Sequence, residues 1–218
     1  MIFDAFAISF KIVITSLTIS LIISFLAVRL LVEKDIRGKK ILETLMLFPM
    51  FLPPSAVGYI ILIVIGREGF IGKVIHNYFG VNIIFTWIAG VIAAVIVSMP
   101  IMYQSIKISI LSVNKELREA ARVMGATEFQ IFYKITLPLS IKGILTGILL
   151  SFARSFGEFG ATILVAGNIP GKTQTVPMAM YYAIENNNDT QAKTILVFIL
   201  LISMILIFFY NIVLKKFV

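Results

Sequence analysis

The stretch ILVFILLISMILIFFYNIVL, residues 195–214, runs for 20 residues without a charge, and its reading decides the fold. A soluble helix of that length alternates an apolar stripe with a polar face, whereas this one is apolar all round. At 1.5 Å per residue it spans about 30 Å, the thickness of a bilayer's hydrocarbon core. A transmembrane helix is the reading that satisfies both its composition and its length.

Working outward, comparable runs lie near residues 12–32, 44–65, 83–106 and 139–165. Together they predict an all-α membrane protein of about five transmembrane helices, with residues 1–218 as a single transmembrane domain. The whole chain agrees: 59% of its residues are hydrophobic, 14% are charged, and the mean hydropathy is +1.01. That is more apolar surface than 218 residues can bury in a soluble core, so lipid is part of the solvent. The first run is preceded closely only by Lys11 and is followed by no small-residue cleavage site, so it is expected to be a retained span rather than a signal peptide.

The net charge of +8 comes from short basic clusters between apolar runs, with no basic stripe or soluble recognition module. Topology explains it better than nucleic acid, which is not expected as a partner. With five spans, Arg29 and the segment from Glu33 to Lys40, the segment from Lys107 to Lys142, and Lys215-Lys216 fall on one side. These collect 13 of the 19 basic residues, leaving Arg67, Lys73, Lys172 and Lys193 opposite. The basic side is expected to be cytoplasmic, with the N-terminus outside and the C-terminus inside.

Prolines mark places where a span should bend. Pro49, Pro53 and Pro54 interrupt the second run and Pro100 lies near the inner end of the third; each lacks a backbone donor. Thr175–Glu185 is apolar but too short to span, which predicts a surface-lying or re-entrant helix, and Asn186–Asp189 reads as a turn and helix cap.

The segment 107–138 is long for a connection between spans and carries its own helical signals. Asn114 stands at an N-cap position, Glu116 in the first turn, and Leu117, Ala121 and Met124 at apolar helical spacing. Gly125-Ala126-Thr127 supplies a break and a second cap, after which Phe129, Phe132 and Tyr133 offer an apolar face before Pro138.

On these residues the chain resembles a known family. Glu119-Ala120-Ala121, three residues, Gly125, nine residues, then Ile135-Thr136-Leu137-Pro138 is similar to the signature of permeases in binding-protein-dependent ABC importers. In that family the segment is the coupling helix seated on an ATPase subunit. The resemblance implies that role for Glu119, Ala120, Ala121, Gly125, Ile135, Leu137 and Pro138. It implies as partners a second copy of the chain, two cytoplasmic ABC ATPase subunits that use ATP and Mg, and an external oxyanion-binding protein. No cofactor is expected on this chain itself.

Four further segments resemble the molybdate branch, close to the sulfate and tungstate permeases: Leu52–Tyr59 with Pro53-Pro54-Ser55, Gly66–Gly69, Phe152–Thr162 and the outer loop Gly167–Thr175. The implied substrate is an oxyanion, molybdate first, with sulfate or tungstate as the rival and a non-transport membrane protein as the other.

Two features need weighing against these expectations. Ala166–Thr173 fits a relaxed phosphate-loop pattern, but it follows an apolar span and leads into Pro177, and none of Asp4, Asp35 or Asp189 follows an apolar strand-like run. The chain is therefore not expected to be an ATPase. Arg154 and Glu158 lie four apart inside the fourth run, where either charge alone would cost at least a few kcal/mol. They read either as a pair that neutralises itself or, with Pro53, Pro54 and Ser55, as part of an anion path or gate. No catalytic constellation appears, and the single histidine, His76, with no cysteine anywhere, is read as a loop residue rather than a metal ligand.

Overall fold

The computed structural model describes residues 2–33 and 37–216, which leaves Lys34, Asp35 and Ile36 of the basic segment outside the described residues. Everything regular in it is helical, and no strand occurs among the described residues. Helix α1 covers Ile2–Glu33, α2 Lys39–Leu47, α3 Pro54–Ile65, α4 Phe70–Phe79 and α5 Trp87–Leu111. The chain continues through α6 at Lys115–Val123, α7 at Glu128–Ile131, α8 at Leu137–Phe156, α9 at Gly160–Val165, α10 at Val176–Glu185 and α11 at Asp189–Lys216.

Among the described residues, four helical stretches are long and apolar enough to cross a membrane: Ile2–Leu31, Trp87–Leu111, Glu128–Phe156 and Asp189–Ile212. A fifth exists only as a broken pair. The second apolar run, expected as one kinked span, is divided into α2 with a 3-10 turn at Phe48–Phe51 and α3, bent by 117°. Two consecutive prolines cause this: Pro53 cannot donate to the helix before it, and its extended backbone (ψ 138°) directs Pro54 into a new first turn. The third run differs from expectation at both ends, since Ile83 and Ile84 precede the helix and Pro100 lies inside an unbroken α5. The fourth run is not one span either, because α8 ends at Phe156 and α9 starts anew at Gly160.

Helix α5 is the axis of the bundle. Ala89, Ala93 and Ala94 are buried along it, so neighbouring backbones approach closely. Helix α1 turns Ser9, Ser16, Ser20 and Ser24 inward, and Ser20 Oγ lies 3.4 Å from Ser98 Oγ of α5. Helix α8 presents Gly143 and Gly147 to α5: a Cβ on Gly143 would fall 2.4 Å from Ser109 Oγ, and one on Gly147 2.6 Å from Ser105 Cβ. Small residues in contact are how membrane helices gain packing without a hydrophobic driving force between them. In contrast, only 6% of the apolar window of α11 is buried inside the chain, which leaves its surface to lipid or a partner.

The two largest apolar cores among the described residues lie one at each end of α5. Val28, Leu31, Met102, Tyr103, Ile106, Ile110, Phe132 and Ile144 form the core beside the connection from α5 to α8. Val57, Ile61, Ala89, Ala93, Val97, Ala161, Val165 and Ala166 form the core at the opposite end, where α3 and α9 meet. His76, expected in a loop, lies on α4, and Thr175–Glu185 is realised as α10, with Val176, Met178, Ala179 and Ala183 buried.

Candidate functional site

The connection between α5 and α8 is a rigid elbow rather than a slack loop. Asn114 caps α6 by accepting a bond from the Glu116 backbone N–H at 2.8 Å. At the other end of α6, Gly125 takes φ +83°, the Gly125 N–H donates to the Arg122 carbonyl, and the Ala126 N–H donates to the Ala121 carbonyl. These two bonds form the six-to-one and five-to-two pair of a Schellman stop, which requires a residue at positive φ. Two residues on, Thr127 opens α7 with a capping box, its hydroxyl accepting from the Gln130 N–H and its own N–H donating to Gln130 Oε1 at 2.9 Å.

Helix α7 runs into a π turn, Phe132–Thr136, and from there into α8, so Glu128–Phe156 is one continuous helical body. The Leu137 N–H reaches back five residues to the Phe132 carbonyl, and the next residue, Pro138, has no N–H to offer. Ile135, Leu137 and Pro138 therefore belong to the bulged root of the span, not to the end of a loop. The bulge is fastened to α5 by an exchange of bonds: Ser109 Oγ donates to the Ser140 carbonyl at 2.7 Å, and Ser140 Oγ, which also has the Thr136 carbonyl of its own helix at 2.7 Å, reaches the Ser109 carbonyl at 3.2 Å.

The two halves of the spaced sequence signature meet in this geometry. Ala121 and Gly125 share a groove with Ile135, along with Met124, Ala126 and Lys134. Ala121 is buried, while Glu119 and Ala120 stand exposed on the outer face of α6. Beside the groove, Val123 is 90% exposed and Met124 is 86% exposed, forming an apolar tip. Arg122 and Glu128 clasp the elbow across the glycine, with Nη2 to Oε2 at 3.0 Å. The hydrogen bond to Arg122 holds the Glu128 carboxyl below the usual carboxylate range, and the same bond raises Arg122.

Sequence reading missed what anchors the elbow to the bundle. Arg29, near the end of α1, lies 5.1 Å from the Phe132 ring centroid and reaches the Tyr133 hydroxyl at 3.4 Å. Glu43 of α2 accepts from Tyr103 Oη at 3.0 Å and from Lys107 Nζ at 2.9 Å, tying the first half of the broken pair to α5. Arg29 was visible only as one of a cluster of positive charges, and the separation of 60 and 64 residues in the second case leaves no local signal.

At the other end of α8 lies a junction. Glu158 was expected on the same helical face as Arg154; instead it stands beyond the helix end at Gly157. The pair nevertheless forms, Arg154 Nη1 to Glu158 Oε2 at 2.7 Å, and Glu158 Oε1 accepts from the Ala161 N–H at 2.7 Å as the cap of α9. Pro54 and Ser55 pack against the same turn, since a Cβ on Gly160 would fall 2.9 Å from Pro54 Cβ and 3.3 Å from the Ser55 nitrogen. Gly58 lies so close to α9 that a Cβ there would fall 2.8 Å from Ala161 Cα. Arg154, Glu158, Pro54 and Ser55 thus belong to one region, where the break before α3 meets the break before α9.

The segment that mimics a phosphate loop spends its donors on itself. The backbone N–H groups of Lys172, Thr173 and Gln174 all point to the Ile169 carbonyl, and the Thr173 hydroxyl donates to the Gly167 carbonyl. No strand precedes it, for none exists among the described residues.

Residues 20–218 match the family described as binding-protein-dependent transport system inner membrane component, and the chain belongs to that family. It is a multi-pass membrane protein with the fold of an ABC importer permease. The molybdenum transport system permease protein ModB of Haemophilus influenzae is 37% identical over 203 residues, 93% of this chain and 89% of its own length. The ModB protein of Escherichia coli K12 is 45% identical over 156 residues, 72% of this chain and 68% of its own. The sulfate transport system permease protein CysT of a Synechocystis strain is 32% identical, over 83% of this chain and 63% of its own. Among solved structures, a bacterial ABC transporter involved in alginate import aligns with TM-score 0.78 at 17% identity, over 98% of this chain and 79% of that one. The inward-facing MetNI methionine transporter aligns with TM-score 0.70 at 17% identity, over 100% and 94%.

Proposed function

We propose that this chain is the permease of an ABC importer that carries molybdate into the cytoplasm. The observation that carries the substrate is the grading of likeness, 45% and 37% identity to two molybdenum permeases against 32% to a sulfate permease. Residues 1–218 act as one transmembrane domain with the N-terminus outside and the C-terminus inside, which the excess of basic residues around the elbow and α2 supports.

In this reading two copies enclose the path, and each offers its elbow to one of two ATPase subunits that bind ATP and Mg. In this reading the chain itself holds no nucleotide; its phosphate-loop look-alike turns the Lys172, Thr173 and Gln174 N–H groups onto its own Ile169 carbonyl. Glu119, Ala120, Ala121 and Gly125 form the coupling surface, with Ile135, Leu137 and Pro138 as its root on α8. Exposed Val123 and Met124 extend that surface. An ATPase closing on ATP moves the elbow, and the continuous body from Glu128 to Phe156 carries the movement across the membrane.

The far end of that body is the junction where Pro53, Pro54 and Ser55 meet the turn after Glu158. We assign the gate to it. Because Arg154 is engaged by Glu158, an anion passing there meets a neutral pair instead of a free cation, which suits weak holding and leaves selection to the external binding protein. Uptake of radiolabelled molybdate by cells expressing this chain with its ATPase and binding protein, in a host without its own permease, tests the reading. Competition by tungstate but weak competition by sulfate is expected; sulfate uptake without molybdate uptake would overturn it.

A further inference from the structure

The junction after α8 encloses a small cavity, separate from the packing contact with Pro54, with free volume of about 10 Å3. Its walls include Ser9 of α1, Ser155 of α8, Glu158, Thr162 of α9, and Thr175 just before α10. All five are more than nine-tenths buried. Such a wall is unusual, because polar groups enclosed among membrane helices are expected to be hydrogen-bonded.

Three of these groups are not. Ser155 Oγ, Thr175 Oγ1 and Glu158 Oε2 are buried without a hydrogen-bond partner. Arg154 supplies charge to Glu158 Oε2 at 2.7 Å, and a carboxylate oxygen, with two lone pairs, keeps the capacity to accept a further bond. Two other polar atoms of the wall have partners: Ser9 Oγ accepts from the Val176 N–H at 2.8 Å, and Glu158 Oε1 accepts from the Ala161 N–H.

We infer that the cavity is a binding site for a single water molecule that donates to Glu158 Oε2 and bonds the hydroxyls of Ser155 and Thr175. The volume fits one water, and three polar partners is the usual coordination of an internal one. A hydroxyl can donate or accept, a carboxylate only accepts, and water alone among small neutral molecules of this size satisfies both kinds. A monovalent cation of similar size finds oxygen ligands here but no net negative charge, since Arg154 already neutralises the carboxylate. The water joins segments far apart in the chain, residues 9–13, 155–162 and 175, around the point where the helix breaks.

A structure of the whole transporter at a resolution that shows ordered waters tests this directly. One peak within hydrogen-bond reach of Ser155 Oγ, Thr175 Oγ1 and Glu158 Oε2 is expected. An empty cavity overturns the assignment, as does a peak that gains anomalous scattering when thallium replaces the monovalent cation of the buffer. Melting of Thr175→Val and Ser155→Ala gives an independent reading. With a water in place, each variant removes one of its partners and melts several degrees lower. If the hydroxyls face a dry void, removing them relieves a buried unpaired group, and melting temperatures that stay level or rise would refute the site.

Discussion

The continuous helical body from Glu128 to Phe156 is flanked by a break at each end, and the two breaks are built by opposite means. Before it, the elbow turns on a glycine at positive φ, a capping box and an exposed ion pair, all local in sequence and open to water. After it, the junction turns on a carboxylate only 2% exposed that caps α9 and pairs with Arg154, inside an environment of buried serines and threonines. An exposed break can be docked upon and moved; a buried one stores its specificity in groups that lose much when unpaired. The same chain therefore has a handle at one end of α8 and a tightly specified joint at the other.

The difference can be broken first at the joint. Glu158→Ala removes both the partner of Arg154 and the acceptor of the Ala161 N–H, and it is expected to cost about 3–5 kcal/mol, the scale for leaving one member of a buried pair alone. Glu158→Gln keeps an oxygen for the Ala161 N–H and should lose less. Thermal unfolding of the purified complex in detergent ranks the two; equal losses would mean that the cap contributes nothing beyond the charge.

A second substitution examines the body between the breaks. Gly143→Ala places a Cβ 2.4 Å from Ser109 Oγ, and the exchange of bonds between Ser109 and Ser140 must give way. An overpacking cost of about 1–3 kcal/mol is expected, read as a lower melting temperature. Uptake should fall by more than the lost folded fraction, because the root of the elbow is then loose against α5.

How much of this contrast was readable in advance follows from its locality. Asn114, Gly125 and Thr127 act on neighbours within four residues, so their pattern announces the elbow without any knowledge of the fold. Apolar run length announces the four long helices in the same way. The break after Phe156 was hidden inside a run that stays apolar through Val165; its glycines, Gly157 and Gly160, were the only local hint, and treating the run as continuous put Glu158 on a helical face it does not occupy. The prolines signalled a bend in the second run, but a reorientation of 117° depends on α3 packing against α9, and Gly58 against Ala161 is not a sequence-local event. Glu43 with Tyr103 and Lys107, and the cavity at Ser155 and Thr175, are assembled from distant segments and had no linear signature.

At the elbow the expected losses are smaller in stability and larger in function. A Cβ added at Gly125 meets no atom within 4 Å, so the cost of Gly125→Val is chiefly the conformational strain of φ +83°, about 1–2 kcal/mol, while Gly125→Asn should be better tolerated. Thr127→Ala, which removes the cap of α7, should cost about 1 kcal/mol. If the elbow is the handle, Gly125→Val abolishes ATP-dependent uptake in protein that is still folded and inserted. Normal uptake by that variant, with normal ATPase association, would remove the functional half of the comparison.

The gentlest test is pH, and it sets a solvated pair against a buried one. The Glu128 carboxyl is held below its ordinary value, principally by its hydrogen bond to Arg122. A carboxyl whose folded pKa is depressed contributes stability above its unfolded pKa and loses it as pH falls through the folded value. The clasp should therefore be fully present from neutral pH down to about 5, and should open only below the ordinary carboxylate pKa of about 4.5. Because both side chains are largely in water, salt should weaken the clasp at any pH. Hydrogen exchange at the Gly125 and Ala126 amides, followed against pH and ionic strength after correction for intrinsic exchange, reads this opening. Glu128→Gln should show the faster exchange already at neutral pH and lose its salt dependence. If exchange in the unaltered chain were insensitive to both salt and acid while Glu128→Gln behaved identically, the Schellman stop at Gly125 would hold the elbow without the ion pair, and the handle would owe its rigidity to backbone geometry alone.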